Sequence, residues 1–92
     1  MNATERDAFY DELVQGVASG ELTLGDVVRS LRVEVAGLNQ ATFARATKVS
    51  ERTLRQIEKD TGNPTLATGE ALVQPFGLQL GLQRRPTSPA VE

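Results

Sequence analysis

The chain has 92 residues, a formal net charge of −2, and neither cysteine nor histidine. A chain of this length forms one small domain with a modest core, and the missing residue types remove disulfides, thiolate and imidazole metal ligands, and most nucleophile and general-base arrangements. The composition therefore argues against an enzyme and against a bound cofactor or metal.

The sequence also lacks the signals of a membrane or exported protein. No apolar run approaches the roughly 20 residues that cross a bilayer, and the first residues carry neither the basic nor the apolar region of a signal peptide. We therefore expect a cytoplasmic protein without a membrane partner.

The small net charge conceals a strong segregation along the chain. Residues 1–28 carry one basic and six acidic side chains, whereas residues 29–59 carry seven basic and three acidic ones. Because salt screens charges over about 8 Å at physiological ionic strength, a polyanion responds to the nearby basic segment more than to the distant acidic one. Charge alone would favour a solvated surface of mixed sign; the basic segment gains significance only together with the helix caps and the inward-facing residues described below.

The first predicted element, within residues 1–20, is an acidic amphipathic helix. Its apolar residues recur at helical intervals, and the pattern stops at Ser19-Gly20. They are Phe9, Leu13, Val14 and Val17. Two uses stay open for this helix: covering one side of the core, which we favour, and holding a partner protein.

Residues 21–76 are predicted to hold four more helices. Thr23 and Asp26 form a capping box for the second helix, which should end near Val35 to Gly37. Asn39 and Ser50 can each accept hydrogen bonds from the free N–H groups of a helix that begins at the next residue. Two short capped helices separated by a few residues are typical of a helix-turn-helix.

The two faces of the fourth helix differ in character. Leu54 and Ile57 follow helical spacing on the inner side, as Phe43 and Ala44 do in the third helix. The polar residues recur at steps of one, three and four, so their side chains form one outward ridge. This ridge consists of Glu51, Arg52, Arg55, Gln56 and Lys59.

The last helix should begin at Pro64 or Thr65 and end before Pro75. In residues 77–84 the spacing of apolar side chains changes from the helical period to every second residue. Leu78, Leu80 and Leu82 alternate with small or polar residues, which indicates a strand. An unpaired leucine-rich edge invites aggregation. We therefore favour pairing with the same strand of a second subunit over folding back on its own subunit. Residues 85–92 are predicted to be a disordered tail.

Taken together, these motifs resemble the Xre family of bacterial and phage DNA-binding proteins, relatives of the Cro and lambda-type repressors. The resemblance covers residues 24–82 and rests on Leu24-Gly25 with Arg29 and Arg32, Gly37-Leu38-Asn39-Gln40, Phe43-Ala44, Val49-Ser50, Thr53-Leu54, Ile57-Glu58 and Gly62-Asn63-Pro64. It implies a mainly α fold, a five-helix lambda-repressor-like helix-turn-helix domain, and a protein of the bacterial cytoplasm that is associated with the nucleoid. The C-terminal segment resembles HipB-type antitoxins of this family, which implies a β-strand that pairs across a dimer.

Two positions depart from the family pattern. Lys48 stands where the family usually has the glycine of the turn, and a left-handed lysine costs on the order of 1 kcal/mol. This leaves open a turn of different shape. Arg32 lies one residue further from Gly37 than the family's usual arginine, so its expected pairing with Glu58 is a hypothesis.

The resemblance implies a sequence-specific transcriptional repressor that binds a palindromic site on double-stranded DNA as a homodimer, with the fourth helix in the major groove. The base-reading candidates are Glu51, Arg52, Arg55 and Gln56. For Glu51 two roles are equally plausible: its carboxylate can accept a hydrogen bond from cytosine, or it can simply stabilise the positive N-terminal end of the helix. The phosphate-contacting candidates, for which capping and solvation are the alternative, are Asn39, Gln40, Arg45, Lys48, Ser50 and Lys59.

Two further possibilities concern partners. The small size, the acidic first helix and the C-terminal resemblance favour an antitoxin that binds a toxin protein and autoregulates its operon, although free-standing repressors share these features. The alternative is a protein-interaction module with the same helical fold that does not bind DNA. The cationic ridge of the fourth helix disfavours this alternative.

Overall fold

The computed structural model describes residues 1–84, and that part of the chain contains five α-helices. They are α1 Ala3–Ser19, α2 Leu24–Ser30, α3 Gln40–Thr47, α4 Glu51–Glu58 and α5 Leu66–Val73. A π-helical segment, Leu31–Ala36, prolongs α2, and a 3-10 turn, Gln74–Phe76, follows α5. The mainly helical architecture is confirmed, while the predicted disordered tail, 85–92, lies outside the described residues.

Side-chain caps fix the starts of the helices where the sequence predicts them. Thr23 accepts from the backbone N–H of Asp26, whose carboxylate accepts in return from the N–H of Thr23, which completes a capping box. Asn39, Ser50 and Thr65 each accept from the N–H three residues further on. These bonds satisfy N–H groups that have no acceptor within a helix, so the helix boundaries follow from local chemistry.

The core brings together residues from all five helices. Its members are Leu13, Val27, Val28, Leu31, Phe43, Ala44, Leu54, Ile57, Leu72 and Val73. Leu54 is completely inaccessible to solvent and Ile57 is nearly so. Burying two such side chains stabilises the fold by roughly 3 to 6 kcal/mol. The same burial fixes which side of α4 faces outward.

The π-helical segment absorbs the extra residue between Arg32 and Gly37. A π turn holds one more residue than an α turn, so the chain can gain a residue without displacing the elements on either side. Gly37 ends the segment in a left-handed conformation at φ 64°, with its N–H donating to the carbonyl of Arg32. The inward side chain of Arg32 is thereby kept in line with α4.

The turn between α3 and α4 keeps a left-handed residue although that residue is a lysine. Lys48 has φ 59° and ψ 33° and ends α3 by donating its N–H to the carbonyl groups of Ala44 and Arg45. The turn therefore does not escape the conformational cost of a side chain at this position.

A second left-handed residue, Asp60 at φ 56°, joins the end of α4 to the start of α2. Its carboxylate accepts from the backbone N–H of Gly25 at 3.1 Å and from the hydroxyl of Thr23 at 2.7 Å. A side chain at Gly25 would overlap this carboxylate and the carbonyl oxygen of Ile57. The glycine thus permits a close approach of the two helices.

The predicted C-terminal strand does not form within a single chain. Residues 78–84 make no strand hydrogen bonds to the rest of the described chain. Leu78 and Leu80 are partly buried against the core, whereas Leu82 is fully exposed. The backbone N–H of Leu80 donates to the carboxylate of Glu70 at 2.9 Å. The alternation of leucines thus packs two side chains against the core without a ladder of strand hydrogen bonds.

The two left-handed residues predict opposite effects of substitution by glycine. Lys48→Gly relieves strain and should raise the free energy of unfolding by up to about 1 kcal/mol, because the relief exceeds the added entropy of the unfolded chain. Asp60→Gly relieves the same strain but loses two hydrogen bonds, so it should lower the free energy of unfolding by about 1 kcal/mol. Urea unfolding of both variants measures the difference, and a stabilised Asp60→Gly variant would contradict the role given to its carboxylate.

Candidate nucleic-acid interface

The outward face of α4 is open to solvent at the residues that the sequence singles out. Glu51, Arg52 and Arg55 are exposed, while Leu54 and Ile57 of the same helix are buried. The helix therefore presents two guanidinium groups in its first turn and a half. Arginine donors suit acceptor groups such as guanine edges or phosphate oxygens.

One of these arginines has a partner on its own helix. A nitrogen of Arg55 lies 3.0 Å from an oxygen of Glu51, four residues earlier, and both side chains are about half exposed. Such a pair stabilises a helix by only about 0.3 to 0.5 kcal/mol. A competing ligand can therefore separate the two side chains at little cost.

Gln56 and Lys59 occupy the far end of the ridge. Gln56 is half-buried, and its side chain packs against Gly62, where a side chain in place of the hydrogen atom would overlap the amide. Its backbone carbonyl oxygen accepts from the backbone N–H of Thr61 at 2.8 Å. Lys59 is exposed just after the helix. Gln56 is therefore less available to a ligand than the two arginines.

The starts of α3 and α4 carry the predicted phosphate contacts. The side-chain oxygen of Asn39 accepts from the N–H of Thr42 at 2.8 Å, and that of Ser50 accepts from the N–H of Thr53 at 3.1 Å. Both caps are exposed. The first N–H groups of each helix point along its axis without an acceptor inside the helix, an arrangement that favours anions.

Two further residues predicted to contact phosphate lie at the C-terminal end of α3. Arg45 and Lys48 are both exposed, one in the last turn of α3 and the other at its end. The structure thus places both cations in the stretch that leads into α4. They can add positive charge beside the start of that helix.

Glu58, at the inner end of α4, joins three helices. Its carboxylate accepts two hydrogen bonds from Arg32, at 2.7 and 2.9 Å, and a third from the side-chain amide of Gln40 at 3.1 Å. Arg32 also donates to the carbonyl of Leu38 at 3.0 Å. The side chains of Arg32 and Glu58 are only 12% and 5% exposed. The hypothesised pair is therefore present, and it is buried.

The network shifts the ionisation of both partners. Burial acts to raise the pKa of Glu58, but the hydrogen bonds from Arg32 and Gln40, with the charges of Arg32 and Arg29, outweigh it and lower the pKa. The hydrogen bond to Glu58 and its charge raise the pKa of Arg32 against the opposing effect of burial. The pair is charged at neutral pH, and its two opposite charges largely cancel for an external ligand.

Gln40 makes a contact that the sequence does not predict. The sequence assigns its side chain to phosphate, whereas the structure uses one amide N–H to hold Glu58. An amide has two such hydrogens, so one stays available for a ligand. The link to Glu58 depends on how closely α3 approaches the end of α4, and no local pattern in the sequence signals it.

The predicted residues thus divide between two regions. The base-reading and phosphate-contacting candidates all lie on α3, α4 and their ends, whereas Leu78, Leu80 and Leu82 lie beyond α5. Of the helices in residues 1–84, none has the length and apolarity that crossing a bilayer requires.

A protein-family model described as helix-turn-helix matches residues 28–83, which is more than half of the chain. The match includes α3, α4 and α5 and begins after α1. Comparisons with curated proteins and with solved structures found no match.

The buried pair predicts a stability that depends on pH. Because the folded-state pKa of Glu58 lies below its ordinary value of 4.5, its contribution is complete above that value and is lost as pH falls through the lower folded value. Glu58→Gln should cost about 1 to 3 kcal/mol at pH 7, because the charge of Arg32 stays buried. The difference from wild type should shrink below pH 4.5.

Urea unfolding from neutral to acidic pH measures this difference. Glu51→Gln is the matched control, because it neutralises a half-exposed carboxylate of the same helix and should change stability by less than about 0.5 kcal/mol. Equal, pH-independent effects of the two substitutions would show that the buried pair does not stabilise the fold.

Proposed function

The chain belongs to the Xre/Cro-like helix-turn-helix family of DNA-binding transcription regulators, and on that premise we propose that it is a repressor that binds a palindromic operator as a homodimer. In this proposal α4 lies in the major groove with its first turn nearest the base edges. The observation that carries it is the exposure of Arg52 and Arg55 on a helix whose opposite face is buried.

Arg52 and Arg55 are the proposed readers of guanine. A guanidinium can donate two parallel hydrogen bonds to the O6 and N7 atoms of guanine, which is the commonest specific contact in the major groove. Arg55 exchanges its weak pair with Glu51 for the base, and Glu51 then accepts from cytosine or stays at the helix N-terminus. Gln56 reads adenine at the edge of the footprint.

The phosphate contacts set the position of α4 in the groove. The N-terminal N–H groups of α3 and α4, framed by the caps Asn39 and Ser50, suit two phosphates of one strand. Gln40 can donate its second amide hydrogen to phosphate while the first holds Glu58. This double use would place the phosphate contact on the same rigid network that orients α4.

Further cations lie around these helices. They are Arg45, Lys48 and Lys59, all exposed. Because Arg32 and Glu58 compensate each other, the remaining six basic and two acidic side chains of residues 29–59 keep the positive excess of that segment. This supports attraction to a polyanion in a chain whose net charge is negative.

Dimerisation is proposed to use the C-terminal segment. Leu82 is fully exposed at its end, and pairing of residues 78–82 with the same segment of a second subunit would supply the strand that a single chain does not form. A twofold dimer brings two copies of α4 to two half-sites, which explains a palindrome.

Within this function we propose the narrower role of an antitoxin that represses its own operon. The acidic α1 lies outside the residues matched by the family model, and most of its side chains are exposed, so they can contact a second protein. Co-expression with the product of the adjacent gene tests this role. A stable complex between the two proteins supports it, and growth inhibition by the neighbour that this chain fails to relieve counts against it.

Substitutions separate base reading from phosphate contact. Arg52→Ala and Arg55→Ala should each cost roughly 1 to 3 kcal/mol of binding free energy and relax specificity at one base pair. Lys48→Ala keeps a side chain in the left-handed turn, so it should leave the fold intact, weaken binding to all sequences alike, and flatten the salt dependence by about one unit. Arg6→Ala, which removes an exposed arginine from α1, is the matched control.

The measurement is fluorescence anisotropy with cognate and scrambled duplexes over a series of salt concentrations. We expect Arg6→Ala to bind as wild type does. A wild-type salt dependence near zero on both duplexes would reject binding in the groove and favour a protein-interaction module with the same fold.

A further inference from the structure

An open apolar groove of about 480 Å³ lies on the part of the molecule away from the candidate interface. It is lined by side chains of α1, α2, α5 and the segment 78–83, and none of its lining residues belongs to α3 or α4. A molecule seated in this groove would therefore leave the DNA-binding face free.

Exposed apolar side chains concentrate around this groove. Residues 1–84 contain six large hydrophobic side chains that are exposed, and four of them line the groove: Val14, Val17, Leu66 and Leu82. Leu66 and Leu82 are 81% and 105% exposed. Single exposed hydrophobic side chains scattered over a surface are normal, whereas a contiguous exposed apolar patch marks a site of association.

Two acidic side chains of α1 are opposite in charge to the chain's own C-terminal segment. Asp7 and Asp11 lie seven and three residues before Val14, so they extend the same side of α1. Both are exposed and form no ion pair within residues 1–84. Arg84 follows Leu82 by two residues, a distance of roughly 7 Å in an extended chain.

We propose that the groove of one protomer receives Leu82 and Arg84 of a second copy of this chain. Leu82 enters between Val14 and Leu66, and Arg84 reaches Asp11 one helical turn further along α1. By twofold symmetry each protomer inserts its Leu82 and Arg84 side chains into the other and receives those of the other, while the rest of the segment stays on its own chain. The inference rests on the proposed homodimer and extends its interface from the C-terminal segment to α1 and α5.

The position of the segment in its own chain supports this exchange. The side-chain amide of Gln83 donates to the carbonyl of Val17 at 2.9 Å, which holds the segment at the edge of the groove near the end of α1. Leu82 nevertheless stays fully exposed, so its own chain does not cover it. A second copy can bury the apolar groove and the leucine together.

Sedimentation equilibrium of the full chain in the absence of DNA tests the proposal. We expect wild type to dimerise, and Val14→Asp and Leu82→Asp each to raise the dimer dissociation constant at least about tenfold, because a carboxylate then faces an apolar interface. Val33→Asp is the matched control: Val33 is 45% exposed against 54% for Val14, but it does not line the groove. It should leave dimerisation unchanged.

A charge exchange provides a second test that does not alter the apolar surface. Asp11→Arg should weaken the dimer by about two- to fivefold at low salt, as expected for an exposed ion pair. Combining it with Arg84→Asp should restore the wild-type constant. Thermal melting of each variant confirms that the fold is retained.

The outcomes distinguish this inference from the proposed function. A wild-type protein that stays monomeric at every concentration would overturn the inference and assign the groove to another occupant, and binding to a single half-site would then still support DNA recognition. Equal dimerisation of Val14→Asp, Leu82→Asp and Val33→Asp would also overturn it. A dimer that responds as expected but binds no duplex would refute DNA binding and leave the interface supported.

Discussion

The buried ion pair between Arg32 and Glu58 is the constraint on which the orientation of α4 depends. A buried carboxylate without partners would cost several kcal/mol, so the positions of its donors on the segment after α2 and on α3 are coupled to the position of α4. Together with the burial of Leu54, this coupling leaves one face of α4 outward. The guanidinium groups of Arg52 and Arg55 project from that face. The position of the candidate interface therefore follows from the packing of the core and from the buried ion pair.

The parts of this arrangement that depend on local chemistry could be predicted from the sequence. The capping residues Thr23, Asn39 and Ser50 act on N–H groups three residues away, so their positions alone locate the starts of the helices. The inner face of α4 follows from the spacing of Leu54 and Ile57, and the outer face follows as its complement. Five helices and the exposed cations of α4 therefore needed no knowledge of tertiary contacts.

The parts that depend on contacts between residues far apart in the sequence could not be predicted in this way. The π-helical segment carries the Arg32 side chain that reaches Glu58, and no local pattern of the segment itself predicts this conformation. The second role of Gln40 depends on how two helices approach each other. A β-strand needs a second strand to complete its hydrogen bonds, and the alternation of leucines in residues 78–84 cannot show whether that second strand exists. Within residues 1–84 those leucines instead pack against the core or stay exposed.

The most direct test of the central claim, that the outward face of α4 reads bases, is selection of bound sequences from a random pool of duplexes, carried out with wild type and with Arg52→Ala. We predict that wild type enriches an inverted repeat and that the variant loses preference at one symmetric pair of positions while keeping the rest of the repeat. Recovery of no enriched sequence by wild type, or of the same repeat at undiminished strength by the variant, would contradict the claim.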